Sequence, residues 1–112
     1  MSIDFAPAEK YIGHAEQGLF GSGPFSESTI KDDLQNRQMQ DNLSTMGSSG
    51  RQTYYLREKK EYYDQVFTEY LNGFDIILRK ARGHLSADST LISRCERCKA
   101  QAYRLLEIAR NY

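Results

Sequence analysis

The sequence predicts an all-α protein built on a C-terminal antiparallel helical hairpin, residues 53–82 and 87–112, preceded by one or two shorter helices. Three observations predict it. The first is a pair of apolar lines in steps of four and three. One runs Tyr63, Phe67, Tyr70, Phe74, Ile77 and Ala81; the other runs Leu91, Cys95, Cys98, Ala102, Leu105, Ala109 and Tyr112. Such steps keep side chains on one helix face and mark a heptad seam. The second is the short polar stretch around Gly83 between the lines, because a short connection makes neighbouring helices antiparallel. The third is size matching. Counting outward from the turn sets Ala81 against Leu91, Ile77 against Cys95, Phe74 against Cys98, Tyr70 against Ala102, Phe67 against Leu105 and Tyr63 against Ala109. Large residues mostly meet small ones, as a close-packed interior requires.

Each element has its own local signals. Phe5, Ala8, Ile12, Ala15 and Leu19 form one helical face in residues 1–20. Pro7 suits a first turn, where a missing N–H costs nothing. Gly18, Gly21, Gly23 and Pro24 stop that helix. Ser26 or Ser28 can cap the next one, over residues 26–46, whose apolar set is sparse: Ile30, Leu34, Met39, Leu43 and Met46. Such a helix depends on a packed face for its stability. Residues 46–52 read as a flexible break of Gly and Ser. Gly83 suits a left-handed residue after the first hairpin helix. Ser86 suits the N-cap of the second, with Asp88 favourable against its dipole.

The chain divides into an acidic segment, residues 1–50, and the hairpin, residues 51–112, within what length limits to a single domain. Three cations against seven anions give the first segment a net −4, and twelve against eight give the hairpin +4, although the whole chain is neutral. The asymmetry suggests that the two halves meet each other, or that each meets a partner of opposite sign. Thirteen aromatic residues, eight of them Tyr, add a hint of contact surface.

Candidate chemistry is thin. Cys95-Glu-Arg-Cys98 lies in mid-helix on the apolar seam, whereas a zinc site needs four ligands and a redox pair sits at a helix start. Core packing is the expected role. His14 and His84 stand alone, and His84 suits the end of the first hairpin helix. GLFGSGP lacks the Lys and Ser or Thr of a phosphate loop. Asp32 and Asp33 read as surface charge. No enzyme activity, cofactor or metal is expected. Two free cysteines, the absence of a ~20-residue apolar stretch and the absence of a signal peptide predict a cytoplasmic protein, with signal-independent secretion left open.

The lead on function is a second apolar stripe. Tyr55, Tyr62, Val66, Gly73 and Ile76 share another face of the first hairpin helix. A surface helix normally has one such stripe, so a second implies a second layer. The candidates to cover it are the helix around Phe5–Leu19, a second copy, or another protein. Tyr55, Tyr62, Val66 and Ile76 are therefore the expected partner-binding residues of a protein–protein interaction module: a small adaptor, assembly subunit, regulator or inhibitor. Dimerisation into a bundle is the simplest form of such association. The alternative is nucleic-acid binding through Arg94, Arg97, Arg104 and Arg110 on the polar back of the second hairpin helix. Acids interleave with these cations, and the bias is weak for a phosphate-binding surface.

Overall fold

Four helices account for the secondary structure of the described residues: α1 (Ala6–Leu19), α2 (Glu27–Met46), α3 (Tyr54–Arg82) and α4 (Ser89–Asn111). The computed structural model describes residues 4–46, 54–84 and 89–112, with the side chains of 44–46 and 54 left aside. The expected break at 46–52 and the Ser86 and Asp88 cap fall almost wholly outside these residues.

α3 and α4 form the antiparallel hairpin. Asp64–Arg110, Asp75–Lys99 and Arg82–Glu96 ion pairs, at 2.5, 2.7 and 2.8 Å, lace its length. The Cys95 thiol lies 3.6 Å from the Phe74 carbonyl. The first two ion pairs and the Cys95 contact fall within about one turn of the pairing read from the sequence, whereas Arg82 reaches Glu96, six residues beyond the position expected opposite it. On α4 the buried set is Leu91, Cys95, Cys98, Ala102, Leu105 and Ala109, with Leu106 added. On α3 the buried set is Tyr63, Phe67, Leu71, Phe74, Leu78 and Ala81, while Tyr70 and Ile77 are half-buried. The heptad line thus broadens at Leu71 and Leu78, because α3 packs on two sides rather than one. α4 takes the side of Asp64 and Asp75, and the N-terminal helices take the side of Lys59 and Tyr70.

α1 and α2 act as one interrupted third rod. Phe5 lies edge-on to His84 at the turn end, Tyr11 lies beside Tyr70 and Phe74, and Leu19 reaches Gln101. α2 continues toward the open end, with Glu27 on Arg104, Asp33 on Tyr63 and Asp41 at the start of α3. The result measures 65 × 23 × 19 Å. One apolar cluster joins both halves of the chain, from Ile12, Ala15, Leu19, Ile30 and Leu34 to the hairpin seam.

The break between the rods is built from specific groups. α1 starts with Ala6 N–H on the Asp4 carboxylate at 2.9 Å and Pro7 in its first turn. It ends at Leu19, where Phe20 turns extended and Gly21 adopts φ 62°. Among the described residues the left-handed backbone falls at Gly21 and not at Gly83, the position expected for it. Gly83 continues from α3 with its N–H toward the Arg79 carbonyl, at 3.3 Å, so no sign change in φ is needed there. Gly23 is pressed against the end of α1: a Cβ there would lie 2.7 Å from the Gly18 carbonyl carbon. Ser26 precedes α2 and is buried; its hydroxyl meets that of Thr29 at 2.9 Å, and Thr29 donates to the Gly23 carbonyl.

Asp41 carries the most consequential polar contact. The residue is 2% exposed, and its carboxylate accepts from the N–H groups of Tyr55 and Leu56, at 2.8 and 2.9 Å. The first turn of any helix has N–H groups without intrahelical partners, and its dipole favours an anion there. Here the cap comes from a different helix.

Candidate functional site

The residues expected at a partner-binding surface lie along one flank of α3. Tyr62 and Ile76 are 45% and 51% exposed, and Tyr55 36%. Val66 is half-buried and packs against the core. α1 covers part of the flank, chiefly at Gly73. The Tyr11 ring lies so close that a Cβ on residue 73 would sit 2.8 Å from the ring carbon bearing the hydroxyl. Burial raises the Tyr11 and Tyr70 hydroxyl pKa values, so both rings serve as packing groups. The helix around Phe5–Leu19 thus covers Gly73 while Tyr62 and Ile76 stay in solvent.

Two grooves follow this flank. Asp4 and Phe5 ahead of α1, Pro7, Ala8 and Tyr11 of α1, and Gly73, Ile76, Ile77 and Lys80 of α3 line one of about 340 Å³. Tyr11, Phe25, Val66, Glu69 and Tyr70 line its continuation, about 280 Å³. Tyr11 and the apolar side chains of α3 run through both. Further along, Lys59 stands 4.8 Å over the Tyr62 ring and makes a 3.4 Å ion pair with Asp33.

The paired tyrosines divide their labour. Tyr63 turns inward, 3% exposed, and donates its hydroxyl to Asp33 at 2.5 Å; Tyr62 beside it faces solvent. Burial and the Asp33 carboxylate both push the Tyr63 pKa up. Burial opposes ionisation of Asp33, but the Tyr63 hydrogen bond and the Lys59 and Arg37 charges outweigh it and hold its pKa below the ordinary value. Asp33 is therefore a tertiary ligand of α3, which its place in a pair of surface acids did not reveal. Met39 and Leu43 on α2 also stand exposed, at 54% and 68%, on the face away from Ile30 and Leu34. Their spacing in the sequence predicts a place on the apolar face of α2, but the buried Asp41 takes that place.

All four arginines of the nucleic-acid alternative are engaged within the chain. Arg94 holds Glu16 through two hydrogen bonds, of 2.5 and 3.3 Å. Arg104 holds Glu27 at 2.6 Å and Arg110 holds Asp64 at 2.5 Å. The Arg97 guanidinium lies 4.1 Å over the Phe20 ring. Arg94 lowers the Glu16 pKa by hydrogen bonding, and Arg104 does the same to Glu27. The acidic half therefore lies against the basic half.

Cys95 and Cys98 are fully buried, and burial lifts both thiols to about 11. At neutral pH they are protonated, and the thiolate is the nucleophile. Alkylation by iodoacetamide is expected to track global unfolding, rising when denaturant populates the open chain. Labelling of the native protein at the rate of a free thiol contradicts the burial. Among the described residues, no three His, Cys, Asp or Glu groups come together to hold a metal ion, and no helix is long and apolar enough to cross a membrane.

No family model, curated protein or solved structure matches the chain.

Proposed function

We propose that this protein is a non-enzymatic protein–protein interaction module, an adaptor, assembly subunit or regulator that docks through the outer flank of α3. One observation carries the reading: Tyr62 and Ile76 stand about half exposed on the outer flank of α3, and Ile76 lines a groove there that α1 only partly closes. Single exposed apolar residues are ordinary, whereas a contiguous patch marks a contact surface. Tyr is also among the residues that dominate binding energy at interfaces. The nucleic-acid reading has less support, since its four arginines are held by Glu16, Phe20, Glu27 and Asp64.

The test is the double substitution Tyr62→Glu/Ile76→Glu. Both side chains are solvent-exposed, so helical content should be retained and the Tm shift kept to a few degrees, while association is lost. A variant that unfolds shows instead that the flank is part of the core, and removes the basis for the reading.

A further inference from the structure

Beyond Leu34, α2 changes character. Ile30 and Leu34 are fully buried and fix the first half of the helix to the core. From residue 35 to residue 43 the one buried side chain is Asp41. Met39 and Leu43, the apolar residues of this stretch, stand in solvent. Arg37 is half-buried and reaches back along α2 to Asp33, at 3.6 Å. Asn36, Asn42, Ser44 and Thr45 are weak helix formers. A helix draws most of its stability from a packed apolar face, and this stretch has none among the described side chains.

Its seat on α3 is correspondingly open. A groove of about 600 Å³, lined by Asp33, Asn36, Arg37, Gln40, Leu43 and Tyr55, lies between the two helices. Beside it the Asp41 carboxylate takes the N–H groups of Tyr55 and Leu56. Toward the middle of the molecule the anchorage is strong again. Asp33 accepts from the Tyr63 hydroxyl, and Tyr63 stacks on the fully buried Phe67. Leu34 and Tyr63 therefore mark where a movable end meets a fixed one.

We propose that residues 35–46 form a strap over the start of α3, latched by Asp41, which opens as a unit while the rest of the bundle stays folded. Regions with few buried apolar contacts open locally, at free energies below that of global unfolding. The carboxylate couples the two helices: opening the strap removes the cap from α3 and leaves first-turn N–H groups without a partner, so both ends fray together. Opening also bares Leu56, half-buried against the core, beside Tyr55. The strap thus sets how much apolar surface the start of α3 offers. Its use in docking rests on the interaction reading above, whereas the opening itself does not.

Amide hydrogen exchange of the wild-type chain tests it. The amides of 39–46, whose helical hydrogen bonds lie within the strap, should share one protection level with those of Tyr55 and Leu56, about tenfold or more below that of Phe67 and Leu105. In Asp41→Ala the amides of 39–46 should exchange about tenfold faster still, while those of Ile30 and Leu34 change by about twofold or less. Leu43→Ala, at an exposed position, should leave the strap's protection unchanged. Protection at 39–46 equal to that at Phe67 in the wild type overturns the strap, and that measurement needs no variant to fold. Unchanged protection there in Asp41→Ala overturns the latch. A loss in Leu43→Ala as large as in Asp41→Ala shows an apolar anchor and overturns it too. None of these outcomes bears on Tyr62→Glu/Ile76→Glu, so the docking reading stands or falls separately.

Discussion

Phe67→Ala should lower the unfolding free energy by about 3–5 kcal/mol, the range for removing a buried aromatic ring. Phe67 is fully buried. It stacks on Tyr63 at a ring distance of 6.1 Å and meets Phe25 edge-on at 6.3 Å. Phe25 comes from the segment between α1 and α2, so Phe67 sits where all three rods converge. Its removal costs the transferred apolar area and leaves a cavity that stiff neighbours on three sides cannot close. In a chain of this size the loss amounts to a fall in Tm of roughly 10 °C or more. Val66→Ala is the control: one residue away but half-buried, it should cost about 1 kcal/mol or less. Urea unfolding followed by circular dichroism separates the two, and equal costs at both positions would contradict the placement of Phe67 at the centre.

The second large effect is expected at Asp41. Asp41→Ala should cost about 1–3 kcal/mol, because it strands two N–H groups in the first turn of α3 at a site that water reaches poorly. Asp41→Asn keeps an acceptor oxygen but loses the charge, so it should fall between Ala and wild type. The distinguishing measurement is amide hydrogen exchange. In Asp41→Ala the amides of Tyr55 and Leu56 should lose protection more than those at the middle of α3. Unchanged protection at those two amides would show that the carboxylate does not cap the helix.

The two sites differ in how far a reader of the sequence can see them. Phe67 lies on an apolar line of regular period, and burial follows from periodicity alone. The hairpin, its direction and its approximate pairing are legible for the same reason. Asp41 is invisible by that route. It is a charged residue on a polar helix, and only the docking of α2 beside α3 turns it inward. Asp33, Glu16 and Glu27 are of the same kind: each finds its partner, Tyr63, Arg94 or Arg104, across a large sequence separation. Apolar faces announce themselves by repetition, whereas a polar contact is a single event with no period to detect. The α3 flank is intermediate. Its apolar stripe is readable, but the part that stays open depends on where Tyr11 lands, and Gly73 decides that.

The interrupted third rod also bears on the order in which the chain assembles. The hairpin closes over short distances: Cys95 and Phe74 are 21 residues apart. Docking α1 is a different matter, since Arg94 and Glu16 lie 78 residues apart. Loop-closure entropy makes the longer closure about 1 kcal/mol costlier when both start from an open chain. Once the hairpin exists, its ends are already together and the remaining search is shorter. Assembly should therefore begin with α3 and α4, gain α2 through Asp33 and Asp41, and finish with α1. Pulse-labelled hydrogen exchange during refolding would show it as late protection of amides in Ala6–Leu19, and protection there before α4 would reverse the order. On this pathway the grooved flank acquires its α1 wall last, so a partly folded chain offers a different surface from the finished one.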